Sequence, residues 1–336
     1  MKTIIRGIAR DLVFPAITGI GLERIPLSFS RNKLLNLTYH GVTREDSTWF
    51  SPRHVQANIF ESQIRYIKKN FDILDLKEAF AYKRGEYALK RPSITLTFDD
   101  GYLNNKEVVL PILEKYHVPA TFFIATEILE DKQFNTLWTD IFAAIRSFAG
   151  KEEFSLNDRD FVNLRDCSSG VHLSDHLKKC KPEQRDEHLR YLTTKFNIMK
   201  QLENVPIEFW KMMDGETLKE FAKSPLVTIG SHTDRHFNLG LIDEDLANQE
   251  LKISRRKLEN LLDKPIDLIA YPDGSYSSEV KNLAEKNGYL GQLAVNYQLD
   301  EDPMDPRIMN RHGVSGTTTL SSTLFFMNLA FVKKGL

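Results

Sequence analysis

Two short segments of the chain contain the residue types of a hydrolytic metal site. Residues 97–101, with the sequence TFDDG, include two adjacent carboxylates, and residues 231–236, SHTDRH, include a His-x3-His pair. Two histidines four positions apart on a helical turn share one face, with about 5 to 6 Å between their Cβ atoms, which suits chelation of one ion. With Asp100, His232 and His236 would form a two-His, one-carboxylate set that leaves coordination positions open for water and substrate. The pattern predicts a catalytic metal with a second carboxylate beside it to take a proton.

Each of these segments follows a predicted strand. Ile94, Leu96 and Phe98 alternate with threonines, which indicates a buried strand that ends just before the two carboxylates. The second motif follows the apolar run 226–230, and Ser231 is the expected cap of a helical turn that would carry both histidines.

Strands and helices alternate along the chain, which is typical of βαβ units and a parallel sheet. The predicted strands are 34–39, 71–74, 93–98, 120–126, 226–230, 267–271 and 290–295, and the predicted helices include 106–116, 244–262, 277–287 and one that opens at Ser51-Pro52. Both motifs lie just past the carboxyl ends of strands, where (β/α) barrels place their active sites.

The chain resembles the NodB-homology polysaccharide deacetylases of carbohydrate esterase family 4. TFDDG corresponds to the first motif of that family and SHTDRH to the second, while residues 37–42, 60–64 and 71–74 follow the usual entry of these domains. The resemblance covers residues 34–315. It implies a distorted (β/α) barrel of about seven parallel strands with a helical insertion.

The resemblance also implies roles for the residues of both motifs. Asp99 corresponds to the general base, and Asp100, His232 and His236 correspond to the ligands of a divalent metal. Zinc is the preferred ion, and nickel, cobalt or iron are admissible for two imidazoles and one carboxylate.

The third motif departs from the family pattern of Arg-x-Pro-Tyr-Gly. Residues 270–274 read AYPDG, so Ala270 stands where an arginine normally orients the base. Arg307 and Arg311 are the nearest candidates in sequence to replace it.

The remaining catalytic assignments rest on weaker matches. The backbone N–H of Asp273 can donate to a developing oxyanion whatever its side chain, and we place Asp273, Tyr271 and Arg311 in the substrate and oxyanion environment. The family's fifth motif, an apolar stretch that ends in the histidine serving as general acid, has no clear copy in this chain. His312 is the one histidine after His236, and it receives the role of general acid.

Each pattern also has a purely structural interpretation. A lone Asp-Asp-Gly is usually a turn and a lone His-x3-His a solvated helix face, although their joint occurrence favours the metal site. His40 is interpreted as a structural residue of the first strand that could line the pocket. The other histidines are interpreted as surface or packing residues, and the spacing of Cys167 and Cys180 suggests neither a metal clamp nor a disulfide.

The composition is that of a folded, soluble enzyme. The chain has 336 residues, of which 41% are hydrophobic and 27% charged, enough to bury a large core. A formal net charge of -1 argues against nucleic acid as a partner.

Residues 127–225 are polar and helical in pattern and form the predicted insertion or cap of the barrel. Because this block lies between the two motifs, we expect it on the catalytic side. Trp138 or Trp210 would either stack on a sugar or anchor the insertion to the barrel, and the anchoring alternative is favoured because tryptophan most often packs.

The two ends of the chain raise the question of membrane contact. Segment 1–33 contains six Lys or Arg against two acids, and Lys2, Arg6 and Arg10 share one helical face, a pattern that favours anionic membrane surfaces. No clear signal peptide is recognised. The apolar runs of the predicted C-terminal helix 316–336 are too short to span a bilayer. We expect a cytoplasmic enzyme in peripheral contact with the membrane.

The resulting hypothesis is a metal-dependent hydrolase that removes N-acetyl groups from amino-sugar units of a polysaccharide or its precursor. Its partner would be an N-acetylated glycan or a lipid-linked sugar. Two alternatives stay open: an amidohydrolase of a small non-sugar amide, and a catalytically decayed glycan-binding module.

Overall fold

The computed structural model of the chain describes residues 34–86, 88–129 and 136–317. The predicted basic segment 1–33 and nearly all of the predicted helix 316–336 lie outside these residues, so both stay predictions. No helix in the described part of the chain combines the length and the apolar character needed to cross a membrane.

Strands and helices alternate in the order that the sequence predicts. The strands are β1 Leu34–Tyr39, β2 Val42–Thr43, β3 Val55–Gln56, β4 Asp72–Ile73, β5 Ser93–Phe98, β6 Ala120–Ile124, β7 Glu153–Leu156, β8 Arg159–Val162, β9 Arg165–Asp166, β10 Val227–Ser231, β11 Leu268–Ala270, β12 Gly291–Ala294, β13 Ile308–Asn310 and β14 His312–Gly313. The helices are α1 Ala57–Asn70, α2 Leu76–Lys83, α3 Leu110–Tyr116, α4 Trp138–Ala149, α5 Leu173–Lys179, α6 Pro182–Lys195, α7 Ile198–Leu202, α8 Gly215–Phe221, α9 Glu244–Leu262 and α10 Ser278–Lys286. A π-helical turn, Asn105–Val109, precedes α3, and short 3-10 turns occur at Thr126–Leu129, Ile207–Phe209, Leu239–Leu241 and Pro272–Gly274.

One parallel sheet forms the body of the molecule. Its strands follow the order β13-β12-β11-β10-β6-β5-β1-β14, with β4 paired to β5. Only Arg311 separates β13 from β14, and these two strands pair with the opposite ends of the sheet, so residues 308–313 close it. With β13 and β14 taken as one interrupted strand, seven strands form the wall of the barrel in the described residues. This confirms the predicted distorted (β/α) barrel of about seven parallel strands, whereas the insertion, predicted to be helical, also contains the antiparallel sheet β7-β8-β9.

The pleat of the strands divides side chains between the barrel interior and the helical layer. Leu37 and Leu96 are paired in register and belong to the main hydrophobic core, which includes residues of α1, α3 and α9. The next pair, Thr38 and Thr97, faces the opposite way, because successive side chains of a strand alternate between faces. A shift of one residue would exchange the two layers.

Helix α9 lies against the loop that follows β10. It begins after Asp243, whose side chain accepts a hydrogen bond of 2.9 Å from the backbone N–H of Leu246. Its buried stripe includes Ala247, Leu251 and Leu258, which pack in the main core. The observed bounds of α9 are those that the sequence predicts.

The predicted helix start at Ser51-Pro52 is wrong. Helix α1 begins at Ala57, and the chain before it is extended. The backbone N–H of Val55 donates to the carbonyl of Gly41 at 3.0 Å, and β2 pairs with β3. This pairing fixes Val55 and Gln56 in a β conformation, so the helix begins only after them.

The insertion has a hydrophobic core of its own. Residues from Trp138 to Trp210, together with Phe50, form a cluster separate from the barrel core. Residues 212–221 instead contribute Met212, Met213, Leu218 and Phe221 to the barrel core. The separately packed part is therefore narrower than the predicted 127–225.

Candidate active site

Asp100, His232 and His236 form a buried cluster just past the carboxyl ends of β5 and β10. Their donor atoms all lie within 4.8 Å of one another. The Oδ1 atom of Asp100 is 3.2 Å from Nε2 of His236 and 3.5 Å from Nε2 of His232. The structure therefore brings together the three residues that the sequence predicts as metal ligands.

The backbone after β5 turns sharply at the first motif. Asp100 has a φ of 78° and Gly101 a φ of 98°, both in the left-handed region. A non-glycine residue in that region costs on the order of 1–3 kcal/mol unless its surroundings enforce it, and such residues cluster at active sites. The turn lets the adjacent carboxylates of Asp99 and Asp100 approach His232 together, although neighbours on a straight strand would diverge.

The predicted helical turn after Ser231 is wrong. Thr233 and His236 have φ values of 67° and 53°, which interrupt any helix. The N–H groups of residues 234–235 donate to Oε2 of Glu250 on α9, at 3.0 and 2.8 Å. Because this buried carboxylate takes the amides, the segment forms a loop, and the two histidines converge through the loop instead of a helix face.

The hydrogen bonds of His232 leave its Nε2 atom available to a metal. Nδ1 of His232 is 2.7 Å from the carbonyl oxygen of Ala270, so it carries the proton and donates. The lone pair of Nε2 then points towards Oδ1 of Asp100, an oxygen that is buried and receives no hydrogen bond of acceptable geometry. A buried anionic oxygen facing an imidazole lone pair is unfavourable without a cation between them. The donor set therefore fits a divalent ion.

The pKa values of the two imidazoles are shifted in opposite directions. Burial lowers the pKa of His232 to about 4, against the opposing influence of Asp99, so this ring is neutral near pH 7. Burial also acts to lower the pKa of His236, but the Asp100 carboxylate outweighs it and raises that pKa. A ligand imidazole must be neutral on the binding nitrogen, so metal binding would compete with protonation of His236.

Asp99 is held by a buried arginine that the sequence offers as one of two candidates. Nη1 and Nη2 of Arg311 donate to Oδ1 and Oδ2 of Asp99 at 2.7 and 2.8 Å, and Thr38 adds a contact of 3.3 Å from Oγ1 to Oδ2. Burial acts to raise the pKa of Asp99, but Arg311 and His232 outweigh it and lower that pKa. Arg307, the other candidate, instead binds Asp305 through its guanidinium. Arg311 therefore takes the orienting position that Ala270 leaves vacant.

A second arginine contacts the other oxygen of Asp100. Nη1 of Arg53 is 3.3 Å from Oδ2 of Asp100, and Nη2 is 2.7 Å from Oδ1 of Asp140 in the insertion. The hydroxyl of Tyr102 donates to Asp140 at 2.9 Å. Burial raises the pKa of Asp140 to about 6, although Arg53 opposes the rise. Arg53 is not among the predicted site residues, because no motif surrounds this loop arginine, which lies 47 positions before Asp100.

Comparison with known proteins identifies the family. The family model described as polysaccharide deacetylase matches residues 86–147 and 170–291, together more than half of the chain. The chain belongs to the polysaccharide deacetylase family. The matched ranges contain Asp99, Asp100, His232 and His236, and the resemblance stated from the two motifs is confirmed.

Individual relatives of this polysaccharide deacetylase are distant. The putative polysaccharide deacetylase YxkH of Bacillus subtilis is 22% identical over 294 residues, covering 87% of this chain and 75% of that protein. The poly-beta-1,6-N-acetyl-D-glucosamine N-deacetylase of Staphylococcus epidermidis is 32% identical over 127 residues, which is 34% of this chain and less than half, 44%, of that relative. The structure of the Streptococcus pyogenes deacetylase PplD in complex with acetate has the same fold, with a TM-score of 0.55 and 18% identity over 88% of this chain and 98% of that one.

Asp273 and Tyr271, both predicted near the substrate, lie in different environments in this family member. Asp273 is at the rim, where its carboxylate accepts from Lys178 of the insertion at 2.7 Å and from Asn238 at 3.0 Å. The side chain of Tyr271 is fully buried in the main hydrophobic core, and its hydroxyl donates to the side-chain oxygen of Gln292 at 2.8 Å. Tyr271 therefore supports the strand, while Asp273 joins the insertion to the rim of the site.

The surroundings of His40 are not those of a purely structural residue, because the charges of Asp99 and Asp100 act on its ring. Its Nδ1 atom is buried and has no hydrogen-bond partner in the described structure. Burial lowers the pKa of His40, while the charges of Asp100 and Asp99 act to raise it, which places this ring in the electrostatic field of the site. A polar residue at the end of an apolar strand was the signal available in the sequence.

His312, predicted as the general acid, occupies the strand that closes the barrel. It pairs in register with Leu37 of the main hydrophobic core, whereas the neighbouring pair of Gly313 and Thr38 belongs to the interior face of the barrel. Its predecessor Arg311 reaches inward to Asp99, and consecutive strand residues point to opposite faces. This placement turns the side chain of His312 towards the helical layer, so its catalytic role stays a prediction.

The two tryptophans of the insertion are buried. Trp138 and Trp210 are each 7% exposed and belong to the core of the insertion. Nε1 of Trp138 donates to the backbone carbonyl of His236 at 3.3 Å, and the guanidinium of Arg185 lies 5.0 Å from its ring centroid. Their burial agrees with the anchoring alternative, and Trp138 supports the loop that carries His236.

Proposed function

We propose that this member of the polysaccharide deacetylase family is a metal-dependent enzyme that hydrolyses the N-acetyl groups of amino-sugar units in a polysaccharide or its precursor. The observation that carries the proposal is the placement of Asp99, held by Arg311, beside the buried set of Asp100, His232 and His236. A glycan-binding scaffold would have no need for so many buried ionisable groups, since burying charge is unfavourable.

Asp99 is the proposed general base. A bound divalent ion, with zinc preferred and nickel, cobalt or iron as alternatives, would acidify water and polarise the acyl oxygen. Asp100, His232 and His236 would hold it. Arg311 keeps Asp99 ionised at neutral pH and fixes both of its oxygens, so the carboxylate is ready to accept the proton of the attacking water. The backbone N–H of Asp273 is retained as the proposed oxyanion donor.

The proton for the departing amine needs a second group, and His40 is the stronger candidate than His312. Burial lowers the pKa of His40, so its ring would have to take up a proton in the substrate complex before donating one, and the charges of Asp100 and Asp99, which act to raise that pKa, favour this uptake. His312 instead follows the inward-pointing Arg311 on the same strand. Proton donation by a positioned histidine contributes about 10²–10⁴-fold to a rate.

The substrate class is proposed from the relatives. The named activity of the Staphylococcus epidermidis relative is N-deacetylation of poly-beta-1,6-N-acetyl-D-glucosamine. Oligomers of β-1,6-linked N-acetylglucosamine are therefore the first substrates to test, with β-1,4-linked oligomers and a small non-sugar acetamide as comparisons. Activity on the acetamide alone would favour the amidohydrolase alternative.

The decisive experiment measures acetate release and metal content together. Purified wild type should release acetate from an N-acetylglucosamine oligomer, and Asp99→Asn should lose at least about 10²-fold in rate while keeping its metal. The matched control is His236→Gln, which should lose activity together with one equivalent of metal, the ion held by Asp100, His232 and His236. Wild type that holds metal but releases no acetate from any of the substrates would contradict the proposal, and protein that cannot be loaded with metal would favour the glycan-binding module.

We also propose that the enzyme is cytoplasmic and works at the membrane on lipid-linked sugars. This proposal is supported by the basic segment 1–33 alone. Flotation of the purified chain with anionic and with neutral vesicles tests it. Recovery in the floating fraction with anionic vesicles only is the expected result, and no flotation with either would remove the proposal.

A further inference from the structure

A second cluster of metal-binding residue types lies in the insertion, away from the barrel motifs. His176 is on α5, Cys180 follows the end of that helix, and His188 is on α6. One donor atom from each of the three side chains lies within 4.8 Å of the other two. From the sequence, both histidines are predicted to be surface or packing residues, and the spacing of Cys167 and Cys180 suggests no metal clamp.

The distances in this cluster are those of a metal site. The Sγ atom of Cys180 is 3.6 Å from Nε2 of His176 and 3.9 Å from Nδ1 of His188. With zinc–sulfur and zinc–nitrogen bonds of about 2.3 and 2.05 Å, tetrahedral geometry separates the sulfur from each nitrogen by about 3.5 Å. Small adjustments of the side chains would therefore admit an ion.

The two imidazoles converge on one sulfur atom. The thiol of Cys180 can donate its proton to one of the two facing nitrogens and accept an N–H from the other, whereas a thiolate and two nitrogen lone pairs would present three donor atoms to one cation. The two rings are stacked, with centroids 5.4 Å apart and planes 21° apart. One nitrogen of each ring therefore faces the sulfur that a metal ion would share with them.

The neighbours of the cluster are compatible with ligand roles. The Nδ2 atom of Asn157, at the turn between β7 and β8, lies 3.2 Å from Nε2 of His188. A half-turn of this carboxamide would bring its oxygen to Nε2, where it would accept the ring proton and leave the lone pair on Nδ1, the atom that faces Cys180. His176 and Cys180 are half-buried, so water can reach the fourth coordination position.

We propose that His176, Cys180 and His188 bind a zinc ion, with a solvent molecule as the fourth ligand. Two imidazoles and one thiolate favour zinc over magnesium or calcium, which prefer oxygen ligands. The site differs from the barrel site in having a thiolate and no carboxylate, and this difference makes the two sites separable by spectroscopy.

The ion would join two helices that contact the rim of the barrel site. Lys178 on α5 pairs with Asp273 at 2.7 Å, and Asp186 on α6 pairs with Arg235, the residue before His236. A cross-link between α5 and α6 would hold these contacts in place. The insertion zinc would therefore stabilise the cap against the barrel.

Cobalt substitution of the full chain provides the test. Metal-free wild type titrated with Co²⁺ should develop a thiolate-to-cobalt charge-transfer band, which the barrel site cannot produce because its ligands contain no sulfur. Cys180→Ser and His188→Gln should lose this band and bind one equivalent less zinc by elemental analysis. Cys167→Ser is the matched control, since Cys167 is an exposed thiol outside the cluster, and it should keep the band.

Folding is monitored for every variant by circular dichroism, and the barrel variant His236→Gln should keep the thiolate band while losing the other ion. As a readout that needs no substitution, zinc should protect one of the two thiols of folded wild type from a thiol reagent. Folded wild type without a thiolate band, a band that survives in Cys180→Ser, or equal thiol reactivity with and without zinc would each overturn the proposal.

Discussion

The ion pair between Arg311 and Asp99 allows a quantitative test of the site. Both side chains are buried, and two contacts of 2.7 and 2.8 Å join them. With charge centres about 4 Å apart and an effective dielectric constant of about 20, their attraction is about 4 kcal/mol. Removing one member of a buried pair costs a similar amount, about 3–5 kcal/mol, because the other charge stays buried without a partner. Arg311→Met should therefore lower the free energy of unfolding of the metal-free protein by that amount near pH 7.

The double variant with Asp99→Asn separates this explanation from a general loss of packing. Asparagine carries no charge, so Arg311→Met in that background leaves no uncompensated carboxylate, and the two single effects should fail to add by up to about 3 kcal/mol. The exposed pair of Arg91 and Asp72 provides the control, because Arg91→Met should change stability by less than about 1 kcal/mol.

The pH dependence of this effect has a definite sign. Arg311 and His232 hold the folded pKa of Asp99 below the ordinary value of 3.8, so the pair stabilises the wild type above pH 3.8 and loses this contribution as the pH falls through the folded pKa. Without Arg311, burial is left to raise the pKa of Asp99, and protonation on acidification relieves the penalty. The stability difference between wild type and Arg311→Met should thus be largest near pH 7 and shrink as the pH falls towards 4.

Urea unfolding of EDTA-treated protein at several pH values measures all of these quantities. A stability of Arg311→Met within about 0.5 kcal/mol of wild type, or single effects that add within that margin, would refute the reasoning. So would a difference between wild type and variant that grows as the pH falls.

Three further outcomes follow from the site. Burial raises the pKa of Glu250 from 4.5 to about 7, so the free energy of unfolding of wild type should fall as the pH rises through this window. Glu250→Gln should show no such fall. Above pH 7, urea unfolding should therefore find the variant more stable than wild type by roughly 3 kcal/mol. Acetate release should fall at least about 10²-fold in His40→Gln and little in His312→Gln, and the reverse ranking would restore His312 as the acid. Arg53→Met should destabilise the protein by about 3 kcal/mol, and Asp140→Asn added to it should recover part of the loss; simple additivity would count against the pair.

The grouping of the candidate metal ligands and the order of the strands along the chain were predictable because their signals in the sequence are local. The carboxylates of TFDDG follow a strand whose alternation is visible in the sequence, and both histidines of SHTDRH lie within five residues. The prediction was right about the convergence of Asp100, His232 and His236 and wrong about the helical turn. The loop depends on Glu250, a side chain of α9 whose contact with the amides of residues 234–235 no local pattern announces.

The sequence by itself determined the family, the parallel barrel and the order of its strands, because hydrophobic periodicity and short motifs act over a few residues. Only the tertiary structure decided which arginine holds Asp99: barrel closure through residues 308–313 carries Arg311 across 212 positions of sequence to its partner. The same holds for Arg53 and for the cluster of His176, Cys180 and His188, whose members meet because helices and loops pack. Contacts between distant residues depend on how whole elements are placed, and a single sequence records that placement only indirectly.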